Sequence, residues 1–212
     1  MISTCSVQDL QVRPEIVMQA QPYKILKVCV LGDLGVGKTS LTTRFVAEHF
    51  VDKYKPTYQA CHFHKYLHTP DDSVYIQIWD TSGTERFRSL SPHILRDSNG
   101  ALLVYDVTNF PSFANLDKYW IKWIKEIVPD DYRLVLVGNK VDKETSRQID
   151  SKVAKKFATQ NGMLYYETSA KTGDNVDIVF LDVVNLLADT LESYSESVDI
   201  LKHKERKNAC CS

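Results

Sequence analysis

Short apolar runs of strand length alternate with amphipathic stretches along most of this chain. The runs cover residues 25–31, 74–79, 101–105, 134–137 and 163–166, and most are rich in β-branched or aromatic side chains. That composition and length predict buried β-strands. Residues 61–68 predict a further strand at the edge of the sheet.

Helical stretches lie between the predicted strands. In residues 112–128 the apolar side chains recur at helical spacing on one face: Phe113, Leu116, Trp120, Ile124 and Ile127. Residues 177–191 repeat this pattern, residues 151–160 predict a shorter helix closed by Asn161-Gly162, and a further helix opens at Thr39. The aromatic residues on these faces are expected in the core. Alternating strands and helices predict a mostly parallel sheet with helices on both faces, and its ligands at the carboxyl ends of the strands.

Composition limits the classes of function. The 212 residues are 43% hydrophobic and carry a formal net charge of −1, which supplies a core but no field that attracts nucleic acid. No apolar run approaches the roughly 20 residues of a membrane-spanning helix, no signal-peptide core is present, and Ile2 replaces the glycine that myristoylation needs. We expect a cytosolic chain with a flexible extension at 1–23, one domain at 24–192 and a flexible tail at 193–212.

The first strand runs into a glycine-rich loop, residues 32–39, that fits G-x-x-x-x-G-K-[ST]. Such loops turn backbone N–H groups toward a phosphate, while Lys38 reaches the β- and γ-phosphates and the Thr39 hydroxyl ligates Mg²⁺. The residues expected at the phosphates are Gly35, Val36, Gly37, Lys38, Thr39 and Ser40. This motif alone does not distinguish ATP from GTP.

A second motif, Asn139-Lys140-Val141-Asp142, follows the strand at 134–137 and favours guanine. Guanine presents N1–H and N2–H₂ side by side, and the Asp142 carboxylate can accept both, whereas adenine lacks this donor pair. Asn139 is expected to tie the base loop to the phosphate loop, and the Lys140 stem to lie over the ring. After the last strand, Ser169, Ala170 and Lys171 can offer a backbone N–H to the guanine O6.

With these motifs in order, the chain resembles the Ras superfamily over about residues 24–192. The resemblance implies the three-layer α/β P-loop NTPase (small G-protein) fold, with a six-stranded, mostly parallel sheet and about five helices. It implies GTP or GDP with Mg²⁺ as cofactors. It also implies that residues 49–57 and 79–87 are switch loops, ordered by the triphosphate and released after hydrolysis.

The switch residues carry roles by the same resemblance. Phe50 would pack against the base and Tyr54 would close over the phosphates. Thr57 would be the second hydroxyl ligand of Mg²⁺. Asp80 would hold Mg²⁺ through water, and the Gly83 N–H would bind the γ-phosphate.

Within the superfamily the segments 76–81, 85–90 and 103–108 are similar to Rab signature stretches. Cys210 and Cys211 resemble a double geranylgeranylation site, because Ala209 stands where a C-a-a-X box needs cysteine. The basic residues at 202–207 either add attraction to anionic lipid or form a solvated linker. The Rab resemblance implies a monomeric switch on the cytoplasmic face of intracellular membranes, cycling with the cytosol in vesicle traffic. Its partners would be effectors, an exchange factor, an activating protein, a GDP-dissociation inhibitor and the Rab escort protein.

Three departures from the family pattern matter, two of them for hydrolysis and the third, Tyr58-Gln59, for the identity of the effectors. Leu34 replaces a small residue, Thr84 replaces the glutamine that orients the attacking water, and Tyr58-Gln59 replaces a common Ile-Gly. We predict slow intrinsic hydrolysis, with Lys38, Thr57 and Thr84 as the catalytic positions. Two alternatives remain: activating proteins of Rabs can supply arginine and glutamine in trans, or the chain is a GTP-bound scaffold that does not hydrolyse. An ATP-dependent P-loop kinase is a third reading, which Asp142 disfavours.

Overall fold

The computed structural model describes residues 23–52, 61–68, 73–81 and 91–191. These residues form one six-stranded sheet. Its strands are β1 (Tyr23–Leu31), β2 (Cys61–His68), β3 (Ser73–Asp80), β4 (Gly100–Asp106), β5 (Arg133–Asn139) and β6 (Leu164–Thr168). Their order is β2-β3-β1-β4-β5-β6, and every pair is parallel except the edge pair β2–β3. The predicted strands, including the edge strand, are confirmed.

Helices flank the sheet on both faces. They are α1 (Lys38–Ala47), α2 (Ser91–Arg96), α3 (Phe110–Asn115), α4 (Ile121–Lys125), α5 (Ser151–Gln160) and α6 (Val176–Leu191). A π-helical turn, Leu116–Trp120, joins α3 to α4, and Val141–Ser146 forms a 3₁₀ turn. The helices α3 and α4 and the π turn between them form one continuous rod. With this rod counted once, the described residues contain five helices, and the predicted fold class is confirmed. The π turn was not predicted.

Central strands are buried on both faces, as crossover helices on each side require. On β1, Leu26, Val28 and Val30 join the core under α1 and α6, whereas Cys29 and Leu31 join the core under α3 to α5. A stacked ring pair fixes α1 on α6, with the Phe45 and Phe180 centroids 4.1 Å apart. Since β3, β1, β4, β5 and β6 run parallel to one another, their carboxyl ends all lie at the same edge of the sheet.

In the described part of the chain no helix is long and apolar enough to cross a membrane.

Candidate functional site

The loop between β1 and α1 has a backbone that requires glycine at two positions. Gly32 has φ +138° and Gly37 has φ +99°, a region that side chains other than glycine rarely adopt. A Cβ atom on Gly32 would collide with the Val104 carbonyl, and one on Gly37 with the Asn139 amide. The loop therefore lies directly against β4 and against the end of β5.

Lys38 begins α1 beneath this loop and is buried. Its Nζ donates to the carbonyls of Gly32 and Asp33, each at 2.8 Å. Burial lowers the pKa of Lys38 to about 8, against the opposing charges of Asp80 and Asp33. Among the described residues its two hydrogen bonds go to neutral carbonyls, so the third ammonium hydrogen can be donated to an anion in the cleft.

Thr39, at the start of α1, contacts Asp80, at the end of β3. The Thr39 hydroxyl donates to Asp80 Oδ2 at 2.5 Å. The other oxygen of this fully buried carboxylate, Oδ1, accepts no hydrogen bond from the described residues. Burial raises the pKa of Asp80 to about 6, although the Thr39 hydrogen bond and the Lys38 charge both lower it. A buried carboxylate oxygen without a donor, beside a hydroxyl, fits the hard oxygen donor set of Mg²⁺.

Asn139, at the end of β5, joins three segments and is buried. Its Nδ2 donates to the Val36 carbonyl at 2.9 Å. Its Oδ1 accepts from the Ala170 N–H at 3.1 Å and from the Thr168 hydroxyl at 3.3 Å. This side chain thus ties the phosphate loop to both loops that were predicted to read the base.

Lys140 follows Asn139 with φ +72°, and its side chain also reaches the phosphate loop. Its Nζ donates to the Gly35 carbonyl at 2.6 Å and pairs with Asp106 at 2.6 Å. The sequence predicted that its stem would lie over the base, and the contacts place that stem along the cleft wall. Asp106 was not predicted as a site residue. It is the last residue of β4, and ligands of a parallel sheet are expected at the carboxyl ends of its strands, so the sequence could have indicated it.

Asp142 lies on the 3₁₀ turn and has one oxygen engaged within the protein. Its Oδ1 accepts from the Ser169 hydroxyl at 2.7 Å. Ser169 is itself buried and also accepts the Thr172 N–H at 3.1 Å, which fixes its rotamer. The carboxylate is therefore oriented from behind by the loop that follows β6.

A cleft of about 570 Å³ collects these groups. Its walls include predicted residues from the phosphate loop, from the segment after α1 and from both base loops: Gly35, Gly37, Lys38, Thr39, Ser40, Phe50, Asn139, Lys140, Asp142, Ala170 and Lys171. Val36 and Ser169 lie behind the wall, and Leu34 lines it. The volume is within the range of ordinary small-molecule sites, roughly 300–1,000 Å³.

Several predicted positions fall outside the described residues: Tyr54, Thr57, Gly83, Thr84, Cys210 and Cys211.

A model of the Ras family matches residues 27–189, well over half of the chain. The chain belongs to the Ras family. Ras-related protein Rab-21 of Mus musculus is 40% identical over 166 residues, covering 78% of this chain and 74% of that protein. Ras-related protein Rab5A of Oryza sativa subsp. japonica is 40% identical over 161 residues, covering 76% and 79%. Ras-related protein Rab-31 of Rattus norvegicus is 43% identical over 155 residues, covering 73% and 79%.

The predicted Rab resemblance is confirmed by these relatives, and so is the enzyme class, because a Ras-family protein is a small GTPase. Two features of this Ras-family site were nevertheless not predicted from the sequence.

Arg44, a half-buried residue of α1, connects this helix to the loop after β6. Its Nε donates to the Ala170 carbonyl at 2.9 Å, and its NH2 group to the Lys171 carbonyl at 2.6 Å. Its NH1 group donates to the Glu48 carbonyl at 2.9 Å, and the guanidinium lies 6.0 Å from the centroid of the Phe50 ring. No sequence motif marks this residue, since Ala170 and Lys171, its partners in the loop after β6, are more than a hundred residues away.

Arg147 and Glu167 form the second unpredicted feature, a bidentate pair behind the base loops. The two nitrogen–oxygen distances are 2.8 and 2.9 Å, and Tyr165 donates to the same carboxylate at 2.7 Å. The hydrogen bonds from Arg147 to Glu167 and Glu144 raise the pKa of Arg147 above its usual value. The pair joins the end of the 3₁₀ turn to β6, and so joins the two loops that were predicted to read the base.

Proposed function

We propose that this protein is a Rab-type molecular switch that binds GTP or GDP with Mg²⁺ in the cleft and acts in vesicle traffic. The observation that carries the proposal is the position of Asn139. It bonds the Val36 carbonyl on one side and the Ala170 N–H on the other. One side chain thereby holds the proposed phosphate loop at a fixed distance from the two loops proposed to read the base. A nucleotide requires this, because its base and its phosphates are bound at the same time.

Guanine selectivity follows from Asp142. With Oδ1 held by Ser169 at 2.7 Å, the carboxylate has lone pairs left for two adjacent donors. Guanine offers such a pair in N1–H and N2–H₂, and adenine does not. Ala170 and Lys171 also line the cleft. Since the Ala170 N–H donates to Asn139, the Lys171 N–H is the one left to meet the O6 carbonyl.

At the phosphate end, Lys38 supplies charge and the loop supplies backbone N–H groups. Thr39 and Asp80, with Thr57 from the sequence prediction, would hold Mg²⁺. That ion, when bound, neutralises charge that develops on the phosphoryl oxygens during transfer. Asp80 would accept hydrogen bonds from water bound to the metal. Its Oδ1 is without a donor in the described residues.

We propose that hydrolysis is slow, because of Leu34 and Thr84. The Leu34 side chain is 49% exposed and lines the cleft, so an apolar group stands beside the phosphate loop. A threonine at position 84 has no carboxamide with which to orient water. The same observation supports the alternative of a GTP-bound scaffold that recruits effectors without hydrolysis.

Nucleotide identity is tested by displacing fluorescent GDP from the full chain with GDP, GTP or ATP in the presence of Mg²⁺. Displacement by both guanine nucleotides and not by ATP supports the proposal, whereas equal displacement by ATP refutes it.

Hydrolysis is tested by single turnover of preloaded GTP on the wild type and on the Leu34→Gly, Thr84→Gln double variant. Faster turnover in the variant supports the assigned roles of the two residues. A wild type without measurable turnover, restored by the substitutions, favours the scaffold. Equal and ordinary rates in both proteins would show that the two departures do not matter.

We propose that prenyl groups on Cys210 and Cys211 anchor the switch to the cytoplasmic face of membranes. Two lipid chains are what stable anchoring needs. Effectors, an exchange factor, an activating protein, a GDP-dissociation inhibitor and the Rab escort protein would then be its partners. Mass spectrometry of the protein from a prenylating host, beside a Cys210→Ser, Cys211→Ser variant, tests the lipid sites.

A further inference from the structure

The Asp33 side chain is held by a helix that lies far away in the sequence. Its Oδ2 accepts from Asn115 Nδ2 at 2.6 Å, and its Oδ1 accepts from the Trp120 indole N–H at 2.8 Å. Each oxygen of the carboxylate therefore has its own donor, and both donors come from the rod formed by α3, the π turn and α4. We call these three residues the Asp33 clamp.

The π turn explains how both donors reach one carboxylate. In an α-helix each residue rotates by about 100°, so residues five apart lie about 140° apart around the axis. Here the Ile121 N–H donates to the Leu116 carbonyl, a bond from residue i+5 to residue i. Such a turn brings residues five apart nearly above one another, and π turns occur often at functional sites. Asn115 and Trp120 are separated by this interval.

The Trp120 ring is itself fixed by the core. It is 4% exposed and meets Trp123 edge-on, with the two centroids 5.9 Å apart. A buried indole N–H usually needs an acceptor, and here that acceptor is Asp33. The clamp is therefore anchored in the core on one side and in the phosphate loop on the other.

The clamped segment includes the two carbonyls that accept from Lys38 Nζ, those of Gly32 and Asp33. It also precedes Leu34, which lines the cleft. We propose that Asn115 and Trp120 are positioning residues for nucleotide retention. By fixing Asp33 they set where Lys38 and Leu34 stand relative to the terminal phosphate. This inference rests on the proposed function of the cleft.

The test measures release of fluorescent GDP from the full chain in excess unlabelled GDP and Mg²⁺. Trp120→Phe keeps an aromatic ring and removes the donor, and we expect about ten-fold faster release, the size of one lost charge-assisted hydrogen bond. Asn115→Ala should act in the same direction. Trp123→Phe is the packing control, because it keeps an aromatic ring beside Trp120 and leaves the Trp120 donor to Asp33 in place, and it should change release by less than about two-fold.

A double-variant comparison separates positioning from packing. If Trp120 acts through Asp33, Trp120→Phe combined with Asp33→Ala releases GDP no faster than Asp33→Ala alone. Independent, multiplying effects would overturn the proposal, and so would wild-type release in both Trp120→Phe and Asn115→Ala.

A second readout does not depend on nucleotide turnover. The chain has three tryptophans, so a ¹⁵N spectrum shows three indole N–H signals that single Trp→Phe variants assign. Asp33→Ala should shift the Trp120 signal more than that of Trp123, whose ring contacts that of Trp120; an unmoved Trp120 signal would overturn the clamp. If the wild type retains no GDP, the proposed function fails, and the indole spectrum still decides the clamp.

Discussion

Removing the guanidinium of Arg44 should loosen the proposed guanine end of the cleft without removing any group that is expected to contact the nucleotide. Arg44 donates to the Ala170 and Lys171 carbonyls, whose segment is proposed to present an N–H to the guanine O6. Arg44→Met keeps the apolar stem on α1 and deletes every donor. The loop after β6 would then keep its bonds to Asn139 and to Asp142.

The size of the effect follows from the exposure of the two bonds. The bond to Ala170 is partly buried and the bond to Lys171 is exposed. Counting about 1.5 kcal/mol for the first and about 0.5 kcal/mol for the second gives about 2 kcal/mol, or roughly 30-fold in nucleotide release. The bond to Glu48 adds nothing here, because it lies within the end of α1.

The assay is release of fluorescent GDP and of the matching inosine nucleotide, which has the O6 carbonyl and lacks the 2-amino group. Because Arg44 acts on the loop proposed to bind O6, Arg44→Met should speed release of both nucleotides by the same factor. Arg44→Lys keeps the charge without the fork that serves two carbonyls, and should lie between wild type and Arg44→Met. Release within two-fold of wild type, or an effect confined to GDP, would refute the reasoning.

Three further predictions concern the same framework. Asp142→Asn replaces an acceptor by a donor facing one guanine N–H, so competition titration should show GDP affinity lower by about 100-fold or more, and xanthosine diphosphate, with a carbonyl in place of the amine, should compete better than GDP. Gly37→Ala puts a side chain at φ +99° against the Asn139 amide, so equilibrium binding should show severe loss of nucleotide while circular dichroism shows retained fold. Arg147→Met leaves Glu167 without its bidentate partner and should cost about 2 kcal/mol, seen in the GDP-bound protein as a melting temperature lower by about 4–8 °C. Glu167→Gln in the same chain should recover part of that loss, and an unchanged melting temperature would contradict the assigned role of the pair.

The fold and the outline of the cleft were predictable because their signals are local. Buried strands such as β4 require continuous apolar residues, and a loop that wraps phosphate requires glycine where φ is positive, as at Gly37. The base motif is likewise local, since a single carboxylate, that of Asp142, is proposed to select guanine. Each of these signals lies within about ten neighbouring residues.

The supports of the site were not predictable, because each joins residues distant in sequence. Arg44 and Ala170 are separated by 126 positions, and Asp33 and Trp120 by 87. The π turn is hidden for a different reason. Leu116, Trp120 and Ile124 keep the four-residue spacing of an ordinary helix, so the apolar pattern contains no sign of the extra residue in the turn.

These distant contacts make the two ends of the cleft one framework. Lys140 bonds the Gly35 carbonyl, and Asn139 bonds Val36 and Ala170, so the base loops and the phosphate loop share side chains as well as a ligand. A bond made in one loop therefore changes the position of groups in the other. Retention of a guanine nucleotide then depends on bonds that hold loops to each other as much as on bonds to the nucleotide. Because many of these bonds end on backbone carbonyls, replacing a residue on the acceptor side leaves most of them in place, whereas replacing one donor such as Arg44 removes several at once.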